Sequence, residues 1–412
     1  MRNFNNNTSS RGGSRFGQPS KFGQQAQGFG GRPQRGRFNR RSARLPKNLE
    51  ISKLINKATP IEESVFTPVH TFQEFPFHPT IKANIALKGY NKLTPIQDQA
   101  IAHIIAGKDT VGIANTGTGK TAAFLLPLIN KVVNNRNEKI LILAPTRELA
   151  QQIFEEFVVF SKGLNIHGSI CVGGVHVGAQ ISALRRNPNF VIATPGRLKD
   201  LANRRLVNLK FFNTVVLDEA DRMVDMGFIQ DIKAIIAMLP PKRHSLFFSA
   251  TISKEIHALI QQFLVDPVTV SVKFRETASN VDQDIIRVTD SSRKIDILKG
   301  LLAKSEFSKV LIFGRTKRGV EKLSVILSEK GFKVASIHSN KSQSSRQKAL
   351  NLFKQNSIKI LVATDVAARG LDISEVSHVI NYDMPATYDD YIHRIGRTGR
   401  ADKIGKALTF VE

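Results

Sequence analysis

Eight consecutive residues, Ala114-Asn115-Thr116-Gly117-Thr118-Gly119-Lys120-Thr121, set two glycines, a lysine and a hydroxyl in the order that a phosphate-binding loop needs. Glycines at 117 and 119 let the backbone curl so that successive N–H groups face an anion, and a helix starting near Lys120 adds its positive end. Lys120 would then reach the β- and γ-phosphates of a nucleoside triphosphate, while the Thr121 hydroxyl would hold Mg²⁺. The strict pattern begins with glycine, and here Ala114 takes that place. Further along, Asp218-Glu219-Ala220-Asp221 follows the apolar run Val215-Val216-Leu217, which sets carboxylates at the carboxyl end of a buried strand. In open α/β sheets ligands bind at that edge. Asp218 can hold Mg²⁺ through water, and Glu219 can orient and deprotonate a water attacking the γ-phosphate. Alone, the acidic tetrapeptide could equally cap a helix; with a phosphate loop in the same chain, the catalytic reading prevails.

These groups need a sheet to bring them together. Short runs rich in Val, Ile and Phe predict strands at Thr110–Ile113, Ile140–Leu143, Ser169–Val172, Phe190–Thr194, Thr214–Leu217, Ser245–Ser249 and Val268–Val272. Helical patterns such as Glu148–Phe160 and Asp231–Met238 alternate with them, as a parallel α/β sheet requires. Lys273–Gln283 is polar and irregular and is expected to be a linker. A second alternation follows, with strands at Val310–Phe313, Lys333–Ile337, Ile358–Ala363, Val379–Tyr382 and Ala407–Phe410 and helices at Thr316–Lys330 and Ser344–Gln355. It has no second phosphate loop. The expected division is a 1–49 tail, a nucleotide-binding domain over 50–272, a linker over 273–283 and a second domain over 284–412. A short helix near Ile51–Ala58, ended by Pro60, is given no function.

Charge points to the partner. The chain of 412 residues carries a net charge of +26, so a polyanion is expected, nucleic acid ahead of a membrane surface because no long basic amphipathic helix is evident. Residues 1–49 hold nine arginines and two lysines and no acidic residue, with Phe4, Phe16, Phe22, Phe29 and Phe38 spread singly. Such a stretch cannot bury enough apolar surface to order itself; it suits loose contact with nucleic acid or is a solubilising tail. Cys171 is the one cysteine, which excludes an internal disulfide and a cysteine-rich metal site and fits a reducing compartment. With no apolar signal core and no long apolar span, a soluble cytoplasmic protein is expected.

Taken in order, the motifs from Phe72 to about Phe410 resemble those of DEAD-box RNA helicases of superfamily 2. The resemblance implies two tandem RecA-like parallel-sheet domains, ATP and Mg²⁺ as cofactors, and RNA unwinding or remodelling driven by domain closure. Gly89 to Gln97 resembles the Q motif, in which Gln97 bonds the adenine edge and Phe72 stacks on the base; Leu93 replaces the usual first proline. Ala144-Pro145-Thr146-Arg147-Glu148-Leu149-Ala150, Gly173-Gly174 and Thr194-Pro195-Gly196-Arg197 resemble RNA-contacting motifs, so Thr146, Arg147, Gly174, Thr194 and Arg197 are expected to face RNA. Ser249-Ala250-Thr251 resembles the coupling motif, partnered by Asp221, although a Ser-x-Thr also caps helices well.

In the second half Phe313-Gly314-Arg315-Thr316 and Gln343-Ser344-Ser345-Arg346 resemble RNA-side elements, with Arg346 on the RNA; Ser339 stands where glycine is usual. Thr364 to Asp372 resembles motif V, in which Thr364 and Gly370 face RNA and Asp372 reaches the ATP ribose. Tyr391 to Arg400 resembles the arginine-finger motif: Arg397 and Arg400 neutralise charge on the γ-phosphoryl oxygens and His393 couples them to the acidic loop. The resemblance implies a monomer acting on single strands and short duplexes with little sequence preference, with ribosomes and RNA–protein complexes as candidate targets. An annealing clamp, a DNA helicase and a non-catalytic RNA binder are the competing readings. The chain ends just after its last expected strand, where family members usually continue into a helix.

Overall fold

A computed structural model of the chain describes residues 50–58, 66–115, 117–272, 280–368, 373, 375–399 and 404–411. The Arg/Gly-rich stretch 1–49, the linker residues 273–279, Thr116, Gly370, Asp372 and Arg400 lie outside the described residues. The first lobe runs α1 (Pro79–Leu87), α2 (Pro95–Ile105), β1 (Thr110–Ile113), α3 (Lys120–Asn134), β2 (Ile140–Leu143), α4 (Arg147–Phe160), β3 (Gly168–Cys171), α5 (Val177–Arg185), β4 (Phe190–Ala193) and α6 (Pro195–Asn203). It continues through β5 (Thr214–Leu217), α7 (Ala220–Asp225), α8 (Ile229–Met238), β6 (His244–Ser249), α9 (Lys254–Phe263) and β7 (Val268–Ser271). The second lobe holds β8 (Val281–Arg287), α10 (Lys294–Leu302), β9 (Val310–Phe313), α11 (Lys317–Glu329), β10 (Val334–Ile337), α12 (Gln343–Lys354) and β11 (Ile360–Ala363). It closes with α13 (Asp365–Ala368), β12 (His378–Asn381), α14 (Tyr388–Ile395) and β13 (Gly405–Val411).

All pairings within both sheets are parallel, with strand orders β3-β4-β2-β5-β6-β1-β7 and β10-β11-β9-β12-β13-β8. The alternation of side chains along each strand explains the near-continuous apolar runs. Ile140, Ile142, Ile192, Val216 and Phe248 fill one core with α2, α3 and α4, whereas their neighbours Leu141, Leu143, Val191, Val215 and Phe247 fill the core on the other face. The second sheet does the same: Leu311, Leu361 and Val379 face one core, and Val310, Ile312, Ile360 and Ile380 the other. Cys171 is fully buried in the first lobe.

Two expectations need correction. Val281–Gln283, placed in the linker by their polarity, begin β8, an edge strand of the second sheet. Its partly solvated sequence, with Asp282, Gln283 and Asp284 between apolar residues, hides the strand from a search for apolar runs. Residues 50–58, assigned to the first domain from chain order, instead pack on the second lobe: Leu54 is buried in its core and Asn56 forms an antiparallel bridge with Gln283. The helix expected there is a single 3₁₀ turn, Ile51–Leu54.

Gly112 of β1 sits opposite Phe248 of β6, and a Cβ at 112 would lie 2.4 Å from Cε1 of that ring. The glycine makes room for the ring that seals the sheet behind the phosphate loop. Gly112→Val is therefore expected to destabilise the first lobe by about 1–3 kcal/mol through overpacking, read as a lower urea midpoint with an unchanged slope.

Candidate functional site

Strand order assembles the nucleotide edge. β5, β6 and β1 are neighbours, so the loops after them, carrying Asp218–Asp221, Ser249–Thr251 and Ala114–Thr121, emerge side by side. Direct bonds then tie the three together. The Ala114 amide donates to the Ser249 carbonyl at 3.0 Å. Asp221 accepts from the amides of Ala250 (3.1 Å) and Thr251 (3.2 Å) and lies 3.3 Å from the Thr251 hydroxyl, all on one oxygen. The Ser249 hydroxyl donates to the Thr251 carbonyl at 2.8 Å. The expected coupling residues Asp221, Ser249 and Thr251 are thus brought together.

The phosphate loop has left-handed glycines at 117 (φ 83°) and 119 (φ 90°), and the α3 helix begins at Lys120. Lys120 is buried, and its ammonium donates to the Ala114 carbonyl at 2.7 Å. Thr118 closes the turn by donating to the Asn115 carbonyl at 2.8 Å. A curled backbone, a helix N-terminus and a buried ammonium held at the mouth of the loop form a cradle that fits a triphosphate. Among the described residues no cluster of three or more His, Cys, Asp or Glu could hold a metal. Mg²⁺ keeps waters and phosphate oxygens as ligands and takes few from protein; the buried Asp218 carboxyl lies on this edge.

Asp218 and Glu219 are both buried. Burial, with the neighbouring Glu219 adding to it and Lys120 opposing, pushes the Asp218 carboxyl up to about 7. Glu219 holds a left-handed backbone conformation (φ 51°), a strained state for a side chain larger than glycine's. Its carboxylate pairs with Arg222 at 2.6 Å, both groups buried. Sequence reasoning passed over Arg222, although its place one helical turn beyond Glu219 was the available signal.

Gln97 is bonded to this edge in a way the sequence did not announce. Gln97 is buried; its oxygen accepts from the Thr94 amide at 3.0 Å and its amide nitrogen donates to the Gly119 carbonyl at 3.1 Å. A Cβ at Gly119 would lie 2.4 Å from that nitrogen, so glycine is required there for space as well as for conformation. Phe72 packs in the first core, its ring 6.5 Å from that of Tyr90. Asp98, next to Gln97, latches the chain just before Phe72 by accepting from the amides of Val69 (2.9 Å) and His70 (3.1 Å) and pairing with the His70 ring at 2.7 Å.

The loops after β2, β4 and β3 carry the basic half. Arg147 and Arg197 flank the Gly173-Gly174 turn: any side chain at Gly174 (φ 69°) would collide with the Arg147 guanidinium, and Arg197 donates to Gln180 at 3.0 Å. Arg346 of the second lobe reaches across and pairs with Glu148 at 2.8 Å. Burial, the Arg346 charge and, less strongly, Arg197 lower the affinity of Arg147 for its proton, with Glu148 opposing. Such a cluster of cations, set against one carboxylate, carries an excess of positive charge that favours a polyanion. Arg346, expected on RNA, is engaged in this ion pair. Thr146, also expected on RNA, accepts from the Leu149 amide at 3.2 Å as the N-cap of α4. Thr194 is the N-cap residue of α6 without a side-chain cap bond.

In the second lobe Thr364 is half-buried at the end of β11, and its carbonyl accepts from Ala367 and Ala368. His393 lies on α14 and Arg397 on the turn after it, buried. Arg394 between them is structural: it forks onto Asp365 at 2.5 and 2.8 Å and donates to the Asp383 carbonyl at 2.7 Å.

The comparisons agree with this geometry. The chain matches the DEAD/DEAH box helicase family over residues 94–259 and the helicase conserved C-terminal domain over 293–402. It is 46% identical over 342 residues to an ATP-dependent RNA helicase CshA of Limosilactobacillus reuteri, covering 82% of this chain and 69% of that protein. It is 44% identical over 343 residues to the DEAD-box ATP-dependent RNA helicase CshA of Bacillus subtilis, covering 83% and 69%. Among solved structures it resembles Mss116p bound to ssRNA and AMP-PNP, with a TM-score of 0.75 at 30% identity over 86% of this chain and 76% of that one. It also resembles S. cerevisiae Dbp5 bound to RNA and ADP BeF3, with a TM-score of 0.74 at 29% identity over 83% and 89%.

A buried carboxyl whose pKa is raised by folding costs stability once pH exceeds its unfolded value. Its proton is held by the folded state alone between about pH 4 and 7, so stability falls as pH rises through that window. Replacing Asp218 by Asn is expected to raise the unfolding free energy of the ligand-free protein at pH 8 by at least about 1 kcal/mol while changing little at pH 4. Urea titrations at the two pH values check the difference. With two family matches covering most of both sheets, and relatives above 40% identical over four fifths of its length, this chain belongs to the DEAD-box helicases.

Proposed function

We propose that the chain is an ATP-dependent RNA helicase that couples ATP hydrolysis to local opening of RNA duplexes or remodelling of RNA–protein complexes. The observation that carries this reading is the bonded set of three strand-end loops, Ala114 to Ser249 and Asp221 to Thr251, beside a basic seat shared by both lobes. The nucleotide-gripping unit is taken as residues 66–272, and the second unit as 280–411 with residues 50–58 docked on it. Both halves of the site come from one chain, so a monomer suffices.

The backbone amides around Gly117 and Gly119 and the Lys120 ammonium bind the phosphates, Lys120 leaving the Ala114 carbonyl to do so. Gln97 recognises adenine, because one planar amide both donates and accepts; in doing so it exchanges its bonds to Thr94 and Gly119. Thr121 and Asp218 would hold Mg²⁺, which would supply neutralisation of phosphate charge. Glu219 orients the attacking water and takes its proton, with Arg222 fixing the carboxylate. Arg397 and Arg400 stabilise charge on the γ-phosphoryl oxygens, and His393 links them to the acidic loop.

Arg147, Arg197, Arg346, Thr194, Thr364 and the Gly174 turn hold RNA phosphates and 2′-hydroxyls, with Thr146 and Gly370 completing the track. Closure on ATP favours one bent strand over a duplex, and loss of the γ-phosphate reopens the lobes. A cytoplasmic setting is proposed from the lone Cys171, whose thiol burial pushes up to about 11 and keeps unreactive. Among the described residues no helix is long and apolar enough to cross a membrane.

Three outcomes are expected. Hydrolysis of ATP should be stimulated by RNA and not by DNA of the same length, and RNA affinity should fall steeply with salt, as backbone-directed binding does; equal stimulation by DNA would sink the RNA reading. Glu219→Gln should lower kcat by roughly 10²-fold or more while the affinity for ATP, read by fluorescent-analogue titration, stays within a few-fold.

A further inference from the structure

We propose that residues 51–58, which lie outside both family-matched regions, form a built-in clasp that positions the arginine loop following α14. The inference rests on the reading of Arg397 as a group acting on the γ-phosphate.

Leu54 is buried in the same core as Val281 of β8 and Tyr391 and Ile395 of α14, all at 0% exposure. One turn of chain is thus wedged against the helix that leads into Arg397. Polar contacts fix its register. Asn56 and Gln283 exchange both backbone hydrogen bonds, at 3.1 and 2.7 Å. The Ala58 amide donates to Asp282 at 2.8 Å. The Tyr391 hydroxyl lies 3.0 Å from the Gln283 side-chain oxygen and 3.4 Å from the Leu54 carbonyl, so the clasp, β8 and α14 meet at one group.

The far end of this assembly touches the arginine loop itself. Gly399 has φ 68°, and a Cβ there would lie 2.9 Å from the Asn280 carbonyl oxygen and 2.9 Å from Val281. The loop carrying Arg397 therefore rests directly on the start of β8. β8 is an edge strand with β13 on one side only, and the clasp supplies hydrogen bonds on its open side. Without them the strand that backs the arginine loop is held from one side alone. Displacing a transition-state group by about 1 Å costs up to roughly 10²-fold in rate, so a small slackening of β8 is enough to register in turnover.

The test uses the full chain with Leu54→Ala, which empties the wedge, and Leu54→Met, which refills it. Ile55→Ala, at a neighbour that is 50% exposed, serves as a control. RNA-stimulated ATP hydrolysis, ATP-analogue affinity and thermal melting are measured on each. The expected result is a fall in kcat of about five- to tenfold for Leu54→Ala, with KM for ATP and analogue affinity unchanged, recovery in Leu54→Met and no effect in Ile55→Ala. Tyr391→Phe, which keeps the ring and removes the shared hydroxyl, should lower kcat in the same direction. An unchanged kcat in folded Leu54→Ala overturns the proposal. So does a loss that appears only above the variant's melting onset, or one matched by a rise in KM, since either marks general destabilisation. If the unaltered chain itself lacks RNA-stimulated hydrolysis, it is the helicase reading that fails.

Discussion

The site depends on one constraint: the neighbouring order of β5, β6 and β1, locked at its outer edge by Asp221. A single carboxylate oxygen accepts from two amides and lies within reach of a hydroxyl of the loop after β6, while the carbonyl of Ser249 receives the amide of Ala114. These bonds make three loops into one rigid piece. Loops are ordinarily the soft parts of a fold, and catalysis by positioning demands the opposite. The strain held at Glu219 is sustained by the same framework, because a residue stays in the left-handed region only where its surroundings over-determine it.

A second constraint is electrostatic. The nucleotide edge concentrates buried acids against a lysine and an arginine, whereas the neighbouring loops gather Arg147, Arg197 and Arg346 around Glu148. The two halves of the same sheet edge thus bear opposite preferences, one suited to a metal-bound triphosphate and the other to a phosphodiester chain. The ion pair between Glu148 and Arg346 joins the lobes through the second of these.

The sheets were legible because strands buried on both faces are written as unbroken apolar runs; β2, β5 and β9 have the expected bounds. The phosphate loop and the acidic loop were legible because their chemistry fixes both residue type and spacing. What the sequence hid was whatever depends on packing between distant parts. β8 carries Asp282, Gln283 and Asp284 and so reads as linker, and Leu54 gives no sign that it belongs to a core built from residues far along the chain. Pairings hid as well. Arg346 resembles an RNA contact by position, yet the carboxylate that meets it is on the other lobe, and Thr146 carries a capping bond that any threonine before a helix would make. Gln97 shows the same dual character, since the amide expected to read a base is also what steadies Gly119.

Lys120 bonded to the Ala114 carbonyl has a consequence for how the pocket fills. A buried ammonium with nothing to hold would be costly and would draw the loop shut or pull in stray anions. Here the Ala114 carbonyl supplies that acceptor from within the loop itself, so the ammonium is bonded where it lies. A phosphate oxygen offers that nitrogen the same kind of bond, so the two acceptors are interchangeable around one fixed donor.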